Sequence, residues 1–286
     1  MITCLNPVTI GGQPPLREYL ALAHKYGFGG VEFGIGEVAQ LGREQSLGQV
    51  KALFDENQVL PAAFGLPVEW RRDRAKFAED MQGLPELART AQAIGSRRCC
   101  TWLPPMVGDD PIQFRNQTRD RFREIATVLG DHGIRFGLEW VGPYTLRSGP
   151  SAVGKQEFIW NIPATLELIA DIDSPHGNVG LLADSFHWFT TGATAADMEA
   201  LRPEQIVHVH INDAPDRPRD EQIDSQRLLP GEGVIDLAAF LGALKKIGYD
   251  GPVAVETFSK ELPALGYDEA SRRTAESIQS VMAGLA

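Results

Sequence analysis

VGLLADSFHWF (179–189) decides the fold. From Val179 to Ala183 the chain is apolar apart from Gly180 and reads as a buried strand; an acid follows at Asp184 and an imidazole at His187. An ionised carboxylate at the end of a core strand is costly to bury unless something cationic meets it. The same ending recurs in GLE (137–139), LLAD (181–184), VHVH (207–210) and VAVE (253–256), which close on Glu139, Asp184, His210 and Glu256. Each of these residue types can bind a metal.

Working outward, eight short apolar runs alternate with longer amphipathic ones. They are ITCLN (2–6), GVEFGI (30–35), LPAAFGL (60–66), RRCCTWL (97–103), RFGLEWV (135–141), VGLLAD (179–184), IVHVHIN (206–212) and PVAVETF (252–258). Helical stretches fall at 16–27, 73–94, 111–133, 236–251 and 268–285, with a break expected near Gly83–Pro85. Eight such strands separated by helices favour a closed α/β fold, the (β/α)8 TIM barrel, over an open doubly wound sheet. No linker or low-complexity segment interrupts the chain, so residues 1–286 are expected to form one domain.

Strand carboxyl ends form the face where barrel active sites sit. Three carboxylates gathered there without a cation would repel one another. A divalent metal held by Glu139, Asp184, His210 and Glu256 removes the conflict. Taken singly, each has a plainer role: a rim carboxylate beside an arginine, a helix cap at Asp184, a hydrogen-bonded core histidine at His210. Equivalent places on four successive strands favour the metal. One nitrogen with carboxylates suits Mn²⁺ first, with Mg²⁺, Co²⁺ or Zn²⁺ also open. His208 shares a strand face with His210 and is expected one layer deeper, packed and hydrogen-bonded. His187, expected on a loop above the metal, is placed to meet a substrate oxygen.

A formal net charge of -11 disfavours a broad nucleic-acid or anionic-membrane surface. Cys4, Cys99 and Cys100 have no CxxC spacing and fit a reducing, cytoplasmic setting. MITCLNPVTIGG lacks the features of a signal peptide, and no apolar run is long enough to span a bilayer.

Six stretches carry a resemblance: GVEFG (30–34), FGLEW (136–140), ADSFHW (183–188), HVHINDA (208–214), RLLPGEGVIDL (227–237) and YDGPVAVETF (249–258). With them the chain resembles the xylose-isomerase-like TIM barrels, the sugar phosphate isomerase/epimerase superfamily, and within it the ketose 3-epimerases and inosose isomerases. The resemblance implies metal ligation by Glu139, Asp184, His210 and Glu256, with Glu139 and Glu256 facing each other as the catalytic acid/base pair. It also implies substrate contacts from His187, Arg217 and Arg227. Endonuclease IV-type members use three metals and extra histidines from earlier strands; here the third and fourth strands end at Phe64 and Trp102, which points to one metal and no DNA. Some ketose epimerases carry a second Glu six residues past the first metal Glu, where this chain has Thr145.

The chemistry implied is isomerisation or epimerisation of a ketose or keto-polyol. A divalent ion holds the carbonyl oxygen and its neighbouring hydroxyl, one glutamate removes the α-proton to give an enediolate, and the other returns a proton. A dehydratase on a keto-sugar or keto-inositol is the alternative, and a phosphodiester hydrolase ranks below it. The expected partner is a small sugar or polyol-derived substrate, with room for a homo-oligomer. Glu32 and Trp102, at earlier strand ends, are expected to line the pocket. The segment 141–161 is long for a strand-to-helix turn and reads as a lid, with Arg147, Lys155 and Trp160 as contacts. Segment 215–233 is a second long loop.

Overall fold

The structure, a computed structural model, describes residues 1–285 apart from Asp109. Eight parallel strands close into a barrel in chain order: β1 Ile2–Leu5, β2 Gly30–Phe33, β3 Leu60–Gly65, β4 Arg98–Leu103, β5 Arg135–Trp140, β6 Val179–Asp184, β7 Ile206–Ile211 and β8 Pro252–Val255. Each lies inside one of the eight apolar runs.

The two-residue side-chain period explains how such strands carry a site. In β5, Phe136, Leu138 and Trp140 are buried in the shell between barrel and helices, where Phe136 meets Phe122 edge-on at 5.2 Å. The alternate residue Glu139 therefore faces the barrel axis. In β6, Leu181 and Ala183 pack into the same shell, leaving Asp184 inward.

Helices cover the outside, several opened by a side-chain cap. Asp73 accepts from Lys76 N (2.9 Å), Asp110 from Gln113 N (2.8 Å), Asn161 from Ala164 N (3.0 Å) and Asp236 from Ala239 N (2.9 Å). The break expected near Gly83–Pro85 is absent: one helix runs Arg74–Ile94 through Pro85. Leu84, Ala88 and Ala91, buried on the barrel side, hold this stretch in place despite the missing donor. The helices Ile35–Glu44, Leu47–Glu56 and Ile162–Ile172 add to those expected. Among the described residues no helix is long and apolar enough to cross a membrane.

Candidate active site

A bulge aims the histidines. Across β6 and β7, Leu181 pairs with Ile206 but Leu182 pairs with His208, so Val207 is an extra residue on β7. Without it, the outward phase of Ile206 would turn His208 and His210 away from the axis. With it, Ile206, Val209 and Ile211 pack into the outer shell, and Asp184 stands directly opposite His210.

Glu139, Asp184, His210 and Glu256 come together at the carboxyl mouth, each offering a ligand atom within 4.8 Å of the others. His210 Nδ1 lies 3.8 Å from Glu139 Oε1, 3.9 Å from Asp184 Oδ2 and 3.4 Å from Glu256 Oε2. Ligand atoms about 2.1 Å from one ion stand about 3.0–4.2 Å apart, so these spacings suit a common divalent ion. Glu139 Oε1 and His210 Nδ1 are both buried without a hydrogen-bond partner. Such orphaned groups are costly, and a cation between them would satisfy both. The residues present therefore fit a divalent metal.

Asp184 divides its oxygens. Oδ1 caps the short helix Ser185–Thr190, accepting from Phe186 N (2.7 Å) and His187 N (3.1 Å). Oδ2 accepts from Asn212 Nδ2 and Arg227 Nη1, both at 3.0 Å, and faces the cluster. The plainer role of helix cap and a place in the cluster thus coexist in one side chain. His187 belongs to that helix and not to a loop, because the cap starts the helix directly at the strand end.

Glu32 is the residue whose part sequence reasoning missed. It lines the mouth beside Trp102, yet its Oε1 accepts from both His208 Nε2 and His210 Nε2 at 2.8 Å, and its Oε2 accepts from Asn6 Nδ2 at 3.1 Å. When His210 is neutral, as a metal ligand must be, the bond to Glu32 keeps its proton on Nε2 and turns the Nδ1 lone pair toward the acids. Burial opposes the charge on Glu32, but the two imidazoles outweigh it and hold the carboxyl well below its ordinary range. His208 is fully buried, as expected of a core histidine, and burial lowers its pKa.

Arg227 is the cation of this centre. Nη1 donates to Asp184 Oδ2 (3.0 Å) and Glu256 Oε2 (2.9 Å), and Nη2 to Asp224 Oδ1 (2.8 Å). Burial works against the Glu256 carboxylate, yet His210 and Arg227 hold it at about 2. Glu139 is pushed up instead, chiefly by burial. The N–H of Gly142 points at His187 Nδ1 from 3.3 Å, and Arg227 Nη2 lies 3.1 Å from its Nε2; a neutral imidazole accepts at only one of the two. Nε2 also lies 3.8 Å from Glu139 Oε1. A Cβ on Gly142 would stand 2.7 Å from His187 O, so only glycine allows the approach.

The arginine rides on a loop pinned by Asp213. This buried carboxylate accepts from Ala214 N (2.9 Å), Ile235 N (2.8 Å) and Gly231 N (2.9 Å). Gly231 takes φ +87°, and a Cβ on Gly233 would overlap the Ala214 carbonyl oxygen. These contacts give the P-G-x-G stretch its physical reason.

Above the cluster lies a cavity of about 510 Å³, and a second of about 330 Å³ opens over β1–β4; Trp102, Glu139 and Glu256 line both. Glu256, His187, Arg227 and Asp224 line the larger one together with Leu146 and Val153 of the long segment. Nothing in the sequence around Asp224 marked it except its place three residues before Arg227. Arg217 is half-buried and is not among the residues lining either cavity. Segment 141–161 is tied down: Gln156–Glu157 pair antiparallel with Met106–Val107, and Thr145 Oγ1 donates to Gln222 O at 2.8 Å. Arg147 stacks 3.7 Å from the Trp160 ring and pairs with Glu157 at 3.1 Å, so it braces the segment. Lys155 N donates to Val107 O at 2.7 Å.

A closed eight-stranded α/β barrel with an acid–histidine cluster at its carboxyl mouth defines the class of protein. The family model for the xylose isomerase-like TIM barrel matches residues 20–281, and the chain belongs to that family. An inosose isomerase of Bacillus velezensis is 26% identical over 99% of this chain and 97% of its own length. A xylose isomerase domain protein from Alicyclobacillus acidocaldarius superposes with a TM-score of 0.88 at 32% identity, covering 99% of this chain and 98% of that one. The IOLI protein, whose crystal structure has a binding zinc atom, superposes with a TM-score of 0.81 at 25% identity, covering 100% and 99%.

Proposed function

We propose that this chain is a divalent-metal-dependent isomerase or epimerase of sugars or polyol-derived ketones, acting in the cytoplasm as one barrel domain. The observation that carries the proposal is a pair of glutamates, Glu139 and Glu256, that line one cavity with His210, where an imidazole nitrogen and a carboxylate oxygen lie buried without hydrogen-bond partners. Glu139, Asp184, His210 through Nδ1, and Glu256 would hold one ion, with Mn²⁺ foremost. The zinc atom bound by the IOLI protein supports a divalent ion for this chain. When bound, the ion supplies Lewis acidity to the substrate's ketone and neighbouring hydroxyl.

The chain's own residues do the rest. One glutamate takes the proton from the carbon beside the ketone, and the other returns a proton. Return to the same carbon from the other side inverts it; return to the former carbonyl carbon, with the neighbouring hydroxyl's proton passing to the former ketone oxygen, moves the ketone. Arg227 Nη2 and His187 Nε2 lie 3.1 Å apart on the wall of the larger cavity, two polar groups able to donate when the imidazole carries its proton on Nε2. A substrate oxygen there would accept from both. Apolar rim residues such as Val141 and Leu146 exclude water from the reacting carbon.

The name of the inosose isomerase, matched along almost the whole chain, supports a cyclic polyol ketone as one candidate substrate. The test is to load the protein with Mn²⁺ and follow a panel of ketoses and polyol ketones by chromatography. Interconversion of a ketone with its isomer or epimer is expected. A growing ultraviolet enone band with no isomer would assign a dehydratase instead.

A further inference from the structure

We infer that the substrate is an uncharged polyhydroxy ketone, and that the mouth of this barrel rejects phosphorylated and carboxylated ones. This rests on the isomerase proposal for the reaction, and on the charges and walls of the two cavities for the substrate. Arg227 is the only Lys or Arg among the residues lining either cavity. Its guanidinium is already committed to Asp184, Glu256 and Asp224 at 2.8–3.0 Å and is nearly fully buried. A phosphate or carboxylate would have to compete with three carboxylates for it.

The surroundings also repel an anion. Asp184, Asp224 and Glu256 pair with this one guanidinium, Glu139 joins them in the cluster, and Glu32 stands behind His210. A bound divalent ion, with His210 neutral as a ligand must be, brings three positive charges against five negative. Like charges in a low-dielectric pocket repel strongly. Arg71 does not change the balance. It lies between the Trp70 and Trp102 rings, 4.4 and 3.9 Å from them, with Nη2 held by Trp102 O, and is not among the residues lining either cavity. The two residues outside the description, Asp109 and Ala286, add no cation.

The rest of the larger cavity's lining is largely apolar, from Trp102, Pro104, Pro105, Met106, Val153 and Phe258, whose ring packs 4.6 Å from the Arg227 guanidinium. An anionic group pointed there would lose its hydration without a partner. The C–H face of a sugar or cyclic polyol would pack on it, Trp102 being 47% exposed at the boundary of the two cavities.

The test is calorimetric titration of the Mn²⁺-loaded protein with two pairs of probes: D-tagatose against D-tagatose 6-phosphate, and pentahydroxycyclohexanone against quinate. At least one neutral probe should bind about tenfold or more tightly than its charged counterpart. Val153→Lys, which places a cation on the apolar wall, should shift the phosphate-to-neutral ratio about fivefold or more toward the phosphate. Tighter binding of a charged probe by the natural chain, no binding of either neutral probe, or an unmoved ratio in Val153→Lys would each overturn the inference. Deuterium exchange into the bound probe separates the two claims. Binding of a neutral ketone without exchange removes the isomerase and leaves the charge selection standing. Exchange into the phosphate ester at an equal or greater rate does the reverse.

Discussion

Glu32 Oε1 accepts a hydrogen bond from His210 Nε2 at 2.8 Å, linking β2 to β7 through the inside of the barrel. The contact gives the imidazole one orientation, Nε2 toward Glu32 and Nδ1 toward Glu139, Asp184 and Glu256, and in the neutral, metal-binding form it keeps the proton on Nε2. A carboxylate behind a candidate ligand fixes its tautomer and raises its basicity. Glu32→Gln should therefore keep the fold and lower Mn²⁺ affinity about 10–100-fold. Isothermal titration with circular dichroism as a control measures this, and ¹⁵N-histidine spectra should show His210 losing its single tautomer. Unchanged affinity would mean that Glu32 does not position His210.

Asp184 and His187 are three residues apart but differ in reach. Asp184 stands in the acid–histidine cluster, while His187 Nε2 is 3.8 Å from Glu139 and 3.1 Å from Arg227. Asp184→Asn should lose most of its metal affinity, and His187→Ala should keep the metal and lose turnover. Metal titration of both variants decides the matter. If His187→Ala strips the ion as fully as Asp184→Asn does, His187 is itself a ligand.

Gly233→Ala should loosen the loop that carries Arg227. The added methyl would overlap Ala214 O and stand 2.6 Å from Oδ1 of Asp213, whose Oδ1 anchors Ile235 and whose Oδ2 anchors Gly231. Overpacking of this kind costs about 1–3 kcal/mol. Thermal unfolding should show the loss, and KM should rise more than kcat falls. Wild-type stability in the variant would mean that the turn has room to move.

Arg147 braces segment 141–161 through Trp160 and Glu157. Arg147→Ala removes a stacking contact worth about 0.5–2 kcal/mol. Limited proteolysis should cut the variant faster between residues 144 and 157, while the barrel's unfolding changes little. Equal cleavage of variant and natural chain would show that the β-pair with Met106–Val107 suffices.

The eight strands were legible because each pairs apolar runs with helical partners, and the four clustered residues because each lies within one residue of its strand's carboxyl end. What was hidden depends on distance and register. Glu32 meets His208 and His210 across 176 and 178 residues, and a lone acid in GVEFG names no partner. The bulge at Val207 leaves no mark in IVHVHIN, where either phase looks like a strand. The helix Ile35–Glu44 follows β2 at once from Gly34, with no side-chain cap to announce it. Pro85 suggested a break that buried neighbours prevent.

The measurement closest to the central claim is deuterium wash-in by the Mn²⁺-loaded protein, with an interconverting neutral ketone in D₂O and metal occupancy measured in every sample. The natural chain should place deuterium on the carbon beside the ketone. Glu139→Gln and Glu256→Gln should each slow the exchange about 10²–10⁴-fold at matched occupancy, because an amide cannot accept the proton. Exchange that persists at the natural rate in both variants would contradict two glutamates as the acid and base.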